Sequence, residues 1–571
     1  MHKKIAVILV IILLSLPVVY KLIQMGRQHS TDALEEQFLE PVLATCDVSK
    51  NDFSITNDSM LHYSLKWVNE SAGALPVKAL TAISKKNKPL FLNLEIWPRQ
   101  LIKKLDKNVL AALTAGEYDD KIISLAKSLA LFRQPVYINY DPEMEVPLNK
   151  YPWQSQSGNQ YISSFRHLSI LCKKYAPNIK MVWSPSGFRG TEEYWPGADV
   201  TDYCSFILDN APVKADDPRT PFSSVLEMIR RKLIRLRFCD KPVMLLGSSS
   251  INKTTFNPQW LQQLSSMVKA DVEIYHTPII PTDTDTSVEK KRRDTALVIG
   301  VYDPKLLLAN QPLISIEHVF TDLISVENGL FKRNFDSVIT RGHDVIVTIE
   351  PWKDKYRERD SNILINTLNG QYDKTLERLY QIISNTPHTV YLRWGHEMEI
   401  PVTRYPWQMQ DPVAYIKAFR YVATFQKPRA GNIRIVWGPA GDRGSVEYWP
   451  GEDVVDYVSI AIYGLPDKNI NDHTKQLSFT TIFRNKFHRM RFAHRPIFIT
   501  EFGVKGPEDY KKKWLEDAAY TINKYPEIKG VNYFNFADVP KAWGDAETPD
   551  WSITPATFKS FTSLLKDLPK K

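Results

Sequence analysis

From residue 296 onward, short apolar runs rich in β-branched residues alternate with stretches whose apolar positions recur every three or four residues. Ala296–Val301, Val345–Ile349, Val390–Trp394, Ile433–Trp437, Val455–Ile462, Pro496–Thr500 and Gly530–Phe536 read as strands, with helical patterns such as Thr375–Ser384, Pro412–Gln426 and Tyr510–Lys524 between them. Near-continuous apolar strands are those buried on both faces, as parallel strands are when helical crossovers cover the sheet. The pattern predicts an α/β fold, and about 250 residues of it is the size of a (β/α)8 barrel. An open doubly wound sheet is the alternative, but no glycine-rich phosphate loop follows the first strand.

The first half carries the same pattern because the chain repeats itself. Val136 to Gln154 (VYINYDPEMEVPLNKYPWQ) and Val390 to Gln408 (VYLRWGHEMEIPVTRYPWQ) share 10 of 19 positions at an offset of 254. At the same offset, the 22 residues from Val182 and the 22 from Val436 share 15. Glu95-Ile96-Trp97 matches Glu350-Pro351-Trp352 at an offset of 255, so the register shifts by one residue over most of the unit. A period this long lies far beyond solenoid repeats and means a duplicated domain. Two tandem barrels are therefore expected, over residues 38–277 and 296–571. Between them Pro278–Thr295 is rich in Pro, Thr, Asp and mixed charge and reads as a linker.

Residues 1–24 break the pattern. His2-Lys3-Lys4 precedes an uncharged apolar run from Ile5 to Tyr20, closed by Lys21, with no small-residue cleavage site. Flanking lysines can snorkel and extend a short span, and the positive N-terminal flank favours an uncleaved anchor with the remaining chain outside the cytoplasm. The expected location is membrane-anchored, with the barrels periplasmic or at the cell surface. The net charge of +9 is scattered, and its densest run, Lys290 to Arg293, sits in the linker, which argues against nucleic-acid binding. The four cysteines, Cys46, Cys172, Cys204 and Cys239, all lie in the first half at spacings that fit no metal site. Histidines are dispersed, and no cofactor motif appears.

In a barrel, chemistry sits where strands end, on the C-terminal face. Two strand ends of the second copy carry acids: Glu397, after Val390–Trp394, and Glu501, after Pro496–Thr500. They are 104 residues apart, so only the fold can bring them together. Glycosidic-bond cleavage needs such a pair, one carboxyl to protonate the leaving oxygen and one carboxylate to attack the anomeric carbon. With 14 Trp and 26 Tyr the chain also has flat apolar rings to stack on sugars. Trp407 and Trp543, in loops after strands, are the leading platforms, with Trp352, Trp394 and Trp449 as further candidates. Trp437, inside a strand, reads as core.

Arg-x-x-His-Glu-Met at one strand end, Thr-Glu-Phe-Gly at another and Glu-Tyr-Trp-Pro-Gly-x-Asp-x-x-Asp-Tyr between them resemble glycoside hydrolase family 26, the β-mannanases and related β-glucan and β-xylan hydrolases. The resemblance spans the second copy. It implies a retaining enzyme on a TIM barrel, with Glu397 as acid/base, Glu501 as nucleophile and His396 orienting and tuning the site. Arg393 would contact the nucleophile region and Tyr463 would hydrogen-bond Glu501. This chain departs from the mannanase pattern after His-Glu-Met, where the loop runs Glu399-Ile400-Pro401-Val402-Thr403-Arg404-Tyr405-Pro406-Trp407. It departs again at Ala461, where an acid is common. Both departures bear on which sugar is taken.

The first copy keeps Glu143 opposite Glu397 but has Pro142 for His396, Asn139 for Arg393, Gly247 for Glu501 and Asp209 for Tyr463. Without a nucleophile double displacement is closed to it, so it reads as a degenerate barrel. The whole is expected to be an endo-acting β-glycosidase on a mannan-like or β-glucan polysaccharide. The competing readings are a non-catalytic glycan-binding scaffold and a transglycosylase of an exopolysaccharide system. Anchoring suggests polysaccharide synthesis or export machinery as a partner.

Overall fold

This computed structural model describes residues 42–44, 60–67, 73–97, 109–208, 224–247, 262–267, 295–352, 362–401, 404–465, 477–538 and 548–568, apart from 149, 155, 240, 265 and 309. The chain forms two compact units, one made of most of residues 1–279 and the other of Ile280–Lys571. The apolar run 1–24, residues 278–294 of the linker and Trp543 lie outside the described residues. Among the described residues no helix is long and apolar enough to cross a membrane.

The first unit contributes strands β1 (Val42–Ala44), β2 (Leu61–Trp67), β3 (Leu90–Ile96), β4 (Val136–Tyr140), β5 (Ile179–Trp183), β6 (Tyr203–Leu208) and β7 (Val243–Gly247). The second contributes β8 (Val298–Tyr302), β9 (Ile316–Asp322), β10 (Asp344–Glu350), β11 (Val390–Trp394), β12 (Ile433–Trp437), β13 (Tyr457–Gly464), β14 (Ile497–Val504) and β15 (Ile528–Phe534). Strands β8 to β15 close into an eight-stranded barrel in chain order, with β15 pairing β8 in parallel. All of its ladders are parallel.

One strand escapes the apolar pattern. β9 reads Ile-Glu-His-Val-Phe-Thr-Asp, and its polar positions are spent inside the barrel and at its rim rather than in the apolar layer. Glu317 takes Arg341 at 2.7 Å and His343 at 2.8 Å, while His318 joins the buried polar layer described below. The helix at Pro412–Ala423 begins where Asp411 caps it, accepting from Ala414 N at 3.2 Å, with Pro412 in its first turn.

The first unit corrects the expectation of two (β/α)8 barrels. Its described strands form a seven-stranded parallel sheet ordered β1-β7-β6-β5-β4-β3-β2. β1 pairs directly with β7, Val42 opposite Met244, whereas in the second unit β15 stands between β8 and β14. Among the described residues no counterpart of β15 stands between β1 and β7, so β1 and β2 lie at the edges and the described sheet is a partial barrel. Its free cysteines Cys172, Cys204 and Cys239 are buried, and burial pushes the Cys172 thiol up to about 12.

Inside the closed barrel, side chains two apart along a strand share a face. Ile316, Ile346, Tyr391, Val436 and Phe498 make an apolar floor. Two residues further along the same strands come His318, Thr348, Arg393, Gly438 and Thr500, the polar layer that carries the site. The corresponding floor of the first unit is Met60, Phe91, Val182, Met244 and Leu246, with Tyr137 and Tyr203 against it. Each fully buried side chain of such a floor contributes about 1.5–3 kcal/mol.

Candidate active site

Arg393 is the hub of the second unit. It is buried, its Nε donates to Thr348 Oγ1 at 2.9 Å and Nη1 to Thr500 Oγ1 at 2.9 Å, and Nη2 donates to Glu501 Oε1. His318 Nε2 lies 2.7 Å from Thr348 Oγ1, and Ser459 Oγ 2.5 Å from Thr500 Oγ1, so four further strands brace the guanidinium. Adjacent residues on a regular strand point to opposite faces, yet both Thr500 and Glu501 reach Arg393. The register of β14 slips against both neighbours here, between Ser459 and Ala461 and between Ile499 and Phe502. Such a bulge re-aims a side chain into the barrel. β14 also runs on to Val504, so Glu501 lies within the strand rather than beyond it.

Tyr463, on β13, donates its hydroxyl to Glu501 Oε2 at 2.9 Å. Burial and the charges of Glu501 and Glu397 hold its phenol well above the usual range, so it stays a donor. Both oxygens of Glu501 are thus fixed by donors from different strands.

Glu397 stands in a turn rather than on a strand. Its φ is +54°, the left-handed region that a non-glycine residue adopts only when its surroundings require it. Its amide donates to Gly438 O at 2.8 Å, its carbonyl accepts from Gln408 Nε2 at 3.1 Å, and the carbonyl of His396 accepts from Trp407 Nε1 at 2.7 Å. Burial, and then the charge of Glu501, push the Glu397 carboxyl up to about 7, with Arg404 and Arg393 pulling the other way. A carboxyl there is half protonated near neutrality, as a general acid must be. His396 is held neutral by burial and by Arg393, Arg404 and His318, so it adds no charge beside that acid.

Gly438 makes the hub possible. A β-carbon there would stand 2.5 Å from Arg393 Cδ, too close to exist. In the first unit Ser184 occupies the matching place, where Asn139 replaces the arginine. Asn139 donates to Asn93 at 2.9 Å, a shorter version of the bond from Arg393 to Thr348.

The tryptophans fall differently from the sequence expectation. Trp407 is fully buried, stacked on Tyr405 at 4.6 Å, and serves to hold the His396 turn. Trp394 packs on Tyr415, and Trp449 on Trp437 and Phe492, as core. Trp352 is 5% exposed, its indole N–H bonded to Glu350 at 3.0 Å and its ring set edge-on to Tyr405 and Trp407. Tryptophans fill the largest gaps between barrel and helices, which accounts for these placements.

The open aromatic surface is made instead by half-buried Tyr302, Phe320, Phe534 and Phe536, at the ends of β8, β9 and β15. Phe320 lies against Arg393 and His396, 5.9 and 6.1 Å away, and Phe534 is 6.2 Å from Tyr463, so this wall lies beside the residues that hold the two acids. Tyr302 packs at 5.1 Å from Phe320 and 4.7 Å from Phe534. Its phenol is pushed up to about 12 by burial and by Glu350 and Glu501. Position at a strand end is the signal these rings carry in the sequence, and it is one they share with strand-end core. Arg404 completes the site, its guanidinium 5.1 Å over the Tyr405 ring and 3.7 Å from Asp538. Among the described residues no group of His, Cys, Asp and Glu is placed to hold a metal ion.

No family model matches the chain. It is similar to a β-1,3-xylanase, TXYA, of a Vibrio species, 26% identical over 202 residues that cover 31% of this chain and 42% of that protein. It is also similar to a β-1,3-xylanase of an Alcaligenes species, 26% identical over 176 residues covering 29% of this chain and 32% of that protein. The chain thus spans less than half the length of either. Among solved structures, a Cellulomonas fimi endo-β-1,4-mannanase double mutant aligns over 48% of this chain and 71% of its own, at 13% identity and a TM-score of 0.35. Xylanase 10B of Thermotoga petrophila in complex with xylobiose aligns over 48% and 94%, at 13% identity and a TM-score of 0.32.

Proposed function

We propose that residues 296–571 hydrolyse a β-linked polysaccharide by double displacement, with Glu501 as nucleophile and Glu397 as acid/base. The observation that carries this reading is the pair itself: Glu501 fixed through both oxygens by Arg393 and Tyr463, and Glu397 held near 7 partly by the charge of Glu501. A carboxyl raised toward neutrality and a carboxylate fixed in place by an arginine and a phenol suit the acid and the nucleophile of such chemistry.

In the first half-reaction a Glu501 oxygen attacks the anomeric carbon as Glu397 hands its proton to the leaving oxygen. Ionised Glu397 then takes a proton from water, which displaces Glu501 from the sugar and restores both groups. Tyr463 follows the charge on Glu501 through the cycle by its hydrogen bond, and Arg393 keeps the attacking oxygen in place. Trp407, Gln408 and Gly438 O pin the turn that aims Glu397. The wall of Tyr302, Phe320, Phe534 and Phe536 offers the sugar ring an apolar face.

For the polymer, the resemblance to family 26 and the activities named for the two xylanase relatives point in two directions, β-mannan and β-1,3-xylan. The loop from Glu399 to Trp407 departs from the mannanase pattern, which favours β-1,3-xylan. Proton NMR of the first turnovers should show the β-anomer ahead of mutarotation. Glu501→Gln should cost at least about 10³-fold in kcat, since no glycosyl-enzyme can form. An α-anomer appearing first, or a Glu501→Gln chain that keeps its rate, would overturn the proposal.

A further inference from the structure

The first unit has lost the nucleophile side of its cleft and kept the acid side nearly atom for atom. Glu143 has φ +57° where Glu397 has +54°. Its amide donates to Ser184 O at 2.9 Å, its carbonyl accepts from Gln154 Nε2 at 2.9 Å, and Trp153 Nε1 holds Pro142 O at 2.8 Å. Tyr151 stacks on Trp153 at 4.8 Å, with Lys150 Nζ 4.7 Å from its ring centre, as Tyr405 stacks on Trp407 with the Arg404 guanidinium over it in the second unit. Trp97 Nε1 is held by Glu95 at 2.8 Å, as Trp352 is by Glu350.

The difference is in coverage. Trp352 and Tyr405 are each 5% exposed, while Trp97 and Tyr151 are only half-buried. Trp97 has Lys66 Nζ 5.2 Å from its ring, on a side chain 57% exposed that a ligand can displace. Fold maintenance explains Trp153 and Gln154, which are buried. It does not call for two partly exposed aromatic rings beside an acid kept in the left-handed region, where glycine would be strained less. Partly exposed rings with polar groups at their edges, and a lysine that can be displaced from Trp97, suit the apolar face and hydroxyls of a sugar. Glu95 and Glu143 beside them disfavour an anionic polymer.

We propose that Trp97 and Tyr151, with Glu95 and Glu143, form a non-hydrolytic binding site for a neutral β-linked glycan chain. The site stands on the first unit's own geometry; only the choice of probe rests on the function proposed above. The full chain carrying Glu501→Gln, given β-1,3-xylohexaose or β-1,4-mannohexaose, should show slowed amide hydrogen exchange over residues 90–97 and 141–154. Trp97→Ala in that chain should remove this protection and weaken retention on the insoluble polymer about tenfold, leaving protection over residues 296–571 intact. In the otherwise natural chain Trp97→Ala should leave hexaose turnover within about twofold. Exchange that neither probe slows over residues 90–154 overturns the site, and needs no variant in the first unit that must fold. If instead the second unit's role is misassigned, protection is missing from residues 296–571 and Glu501→Gln keeps its turnover, whatever the first unit does.

Discussion

Arg404 shows what a single residue in a loop can set. It belongs to the stretch where the chain leaves the mannanase pattern, and its charge reaches Glu397 from the same loop. Facing Glu397 are Glu501 from β14, Arg393 from β11, Glu399 and Arg404 from its own loop, and the phenols of Tyr463 and Tyr405. Burial and Glu501 raise the Glu397 carboxyl to about 7, and Arg404 opposes them. A general acid works only while it holds its proton, so kcat/KM should fall as pH rises through about 7. Removing the opposing cation raises the carboxyl further, so Arg404→Met should move this alkaline limb to higher pH and Arg404→Lys should return it. A limb that stays in place in Arg404→Met, read from kcat/KM against pH, would show that Arg404 does not set the acid. Sequence alone singles out Glu397 and Glu501 through the motifs around them, Arg-x-x-His-Glu-Met and Thr-Glu-Phe-Gly, since other acids such as Asp322 and Glu350 also stand at strand ends. It does not single out Arg404 or the rings of Tyr302, Phe320 and Phe534, which look like a loop cation and strand-end core. The reverse holds for Trp407: a tryptophan in a loop after a strand resembles a platform, and the fold uses it as a wedge.

At the scale of elements, the barrel's interior layering decides which residues can meet. Arg393 reaches across to β14 only because Gly438 follows β12, and the first unit pairs the smaller Asn139 with Ser184 at the same two places. Replacing Gly438 by serine while keeping Arg393 puts a β-carbon within 2.5 Å of Arg393 Cδ, and the guanidinium must move. Glu501 then loses the donor that fixes Oε1, so kcat should fall roughly 10²-fold, the cost of misplacing a reacting group by about an ångström. Circular dichroism should show the barrel still folded. Full activity in Gly438→Ser would mean that Arg393 does not position the nucleophile. Most strands of the barrel are legible in the sequence because they are apolar on both faces. β9 is not, since its polar residues face the barrel's polar layer and rim, and the bulge in β14 leaves no trace in composition.

For the whole molecule, the repeat at an offset of 254 makes the duplication plain, and Gly247 in the nucleophile's place separates the two copies by residue type alone. What the repeat does not reveal is that the copies close differently. The described strands of the first unit stop at seven, with β1 against β7; the repeat is silent on this because its identity is concentrated in the loops after β4 and β5. The partial barrel keeps the acid-side loops, which hang on β3, β4 and β5, and keeps β7 as well, but β7 ends in Gly247 where the second unit has Glu501.

The two acid loops therefore allow a direct comparison within one chain. Glu143 and Glu397 have the same backbone conformation and the same restraints, yet Glu397 shares its barrel with Glu501 on β14 and Arg393 on β11, where the first unit has Gly247 and Asn139. If hydrolysis belongs to the second unit, Glu143→Gln should leave kcat within about twofold. Glu397→Gln should slow it by roughly 10²–10⁴-fold, and least for substrates whose leaving group needs no proton. Rates for the two variants, on a natural oligosaccharide and on an aryl glycoside with an acidic leaving group, separate the cases. A loss of more than about tenfold in Glu143→Gln, some 1.4 kcal/mol of barrier, would mean that the first unit takes part in turnover. Its acid loop would then be doing chemistry that neither Gly247 nor Asn139 can support.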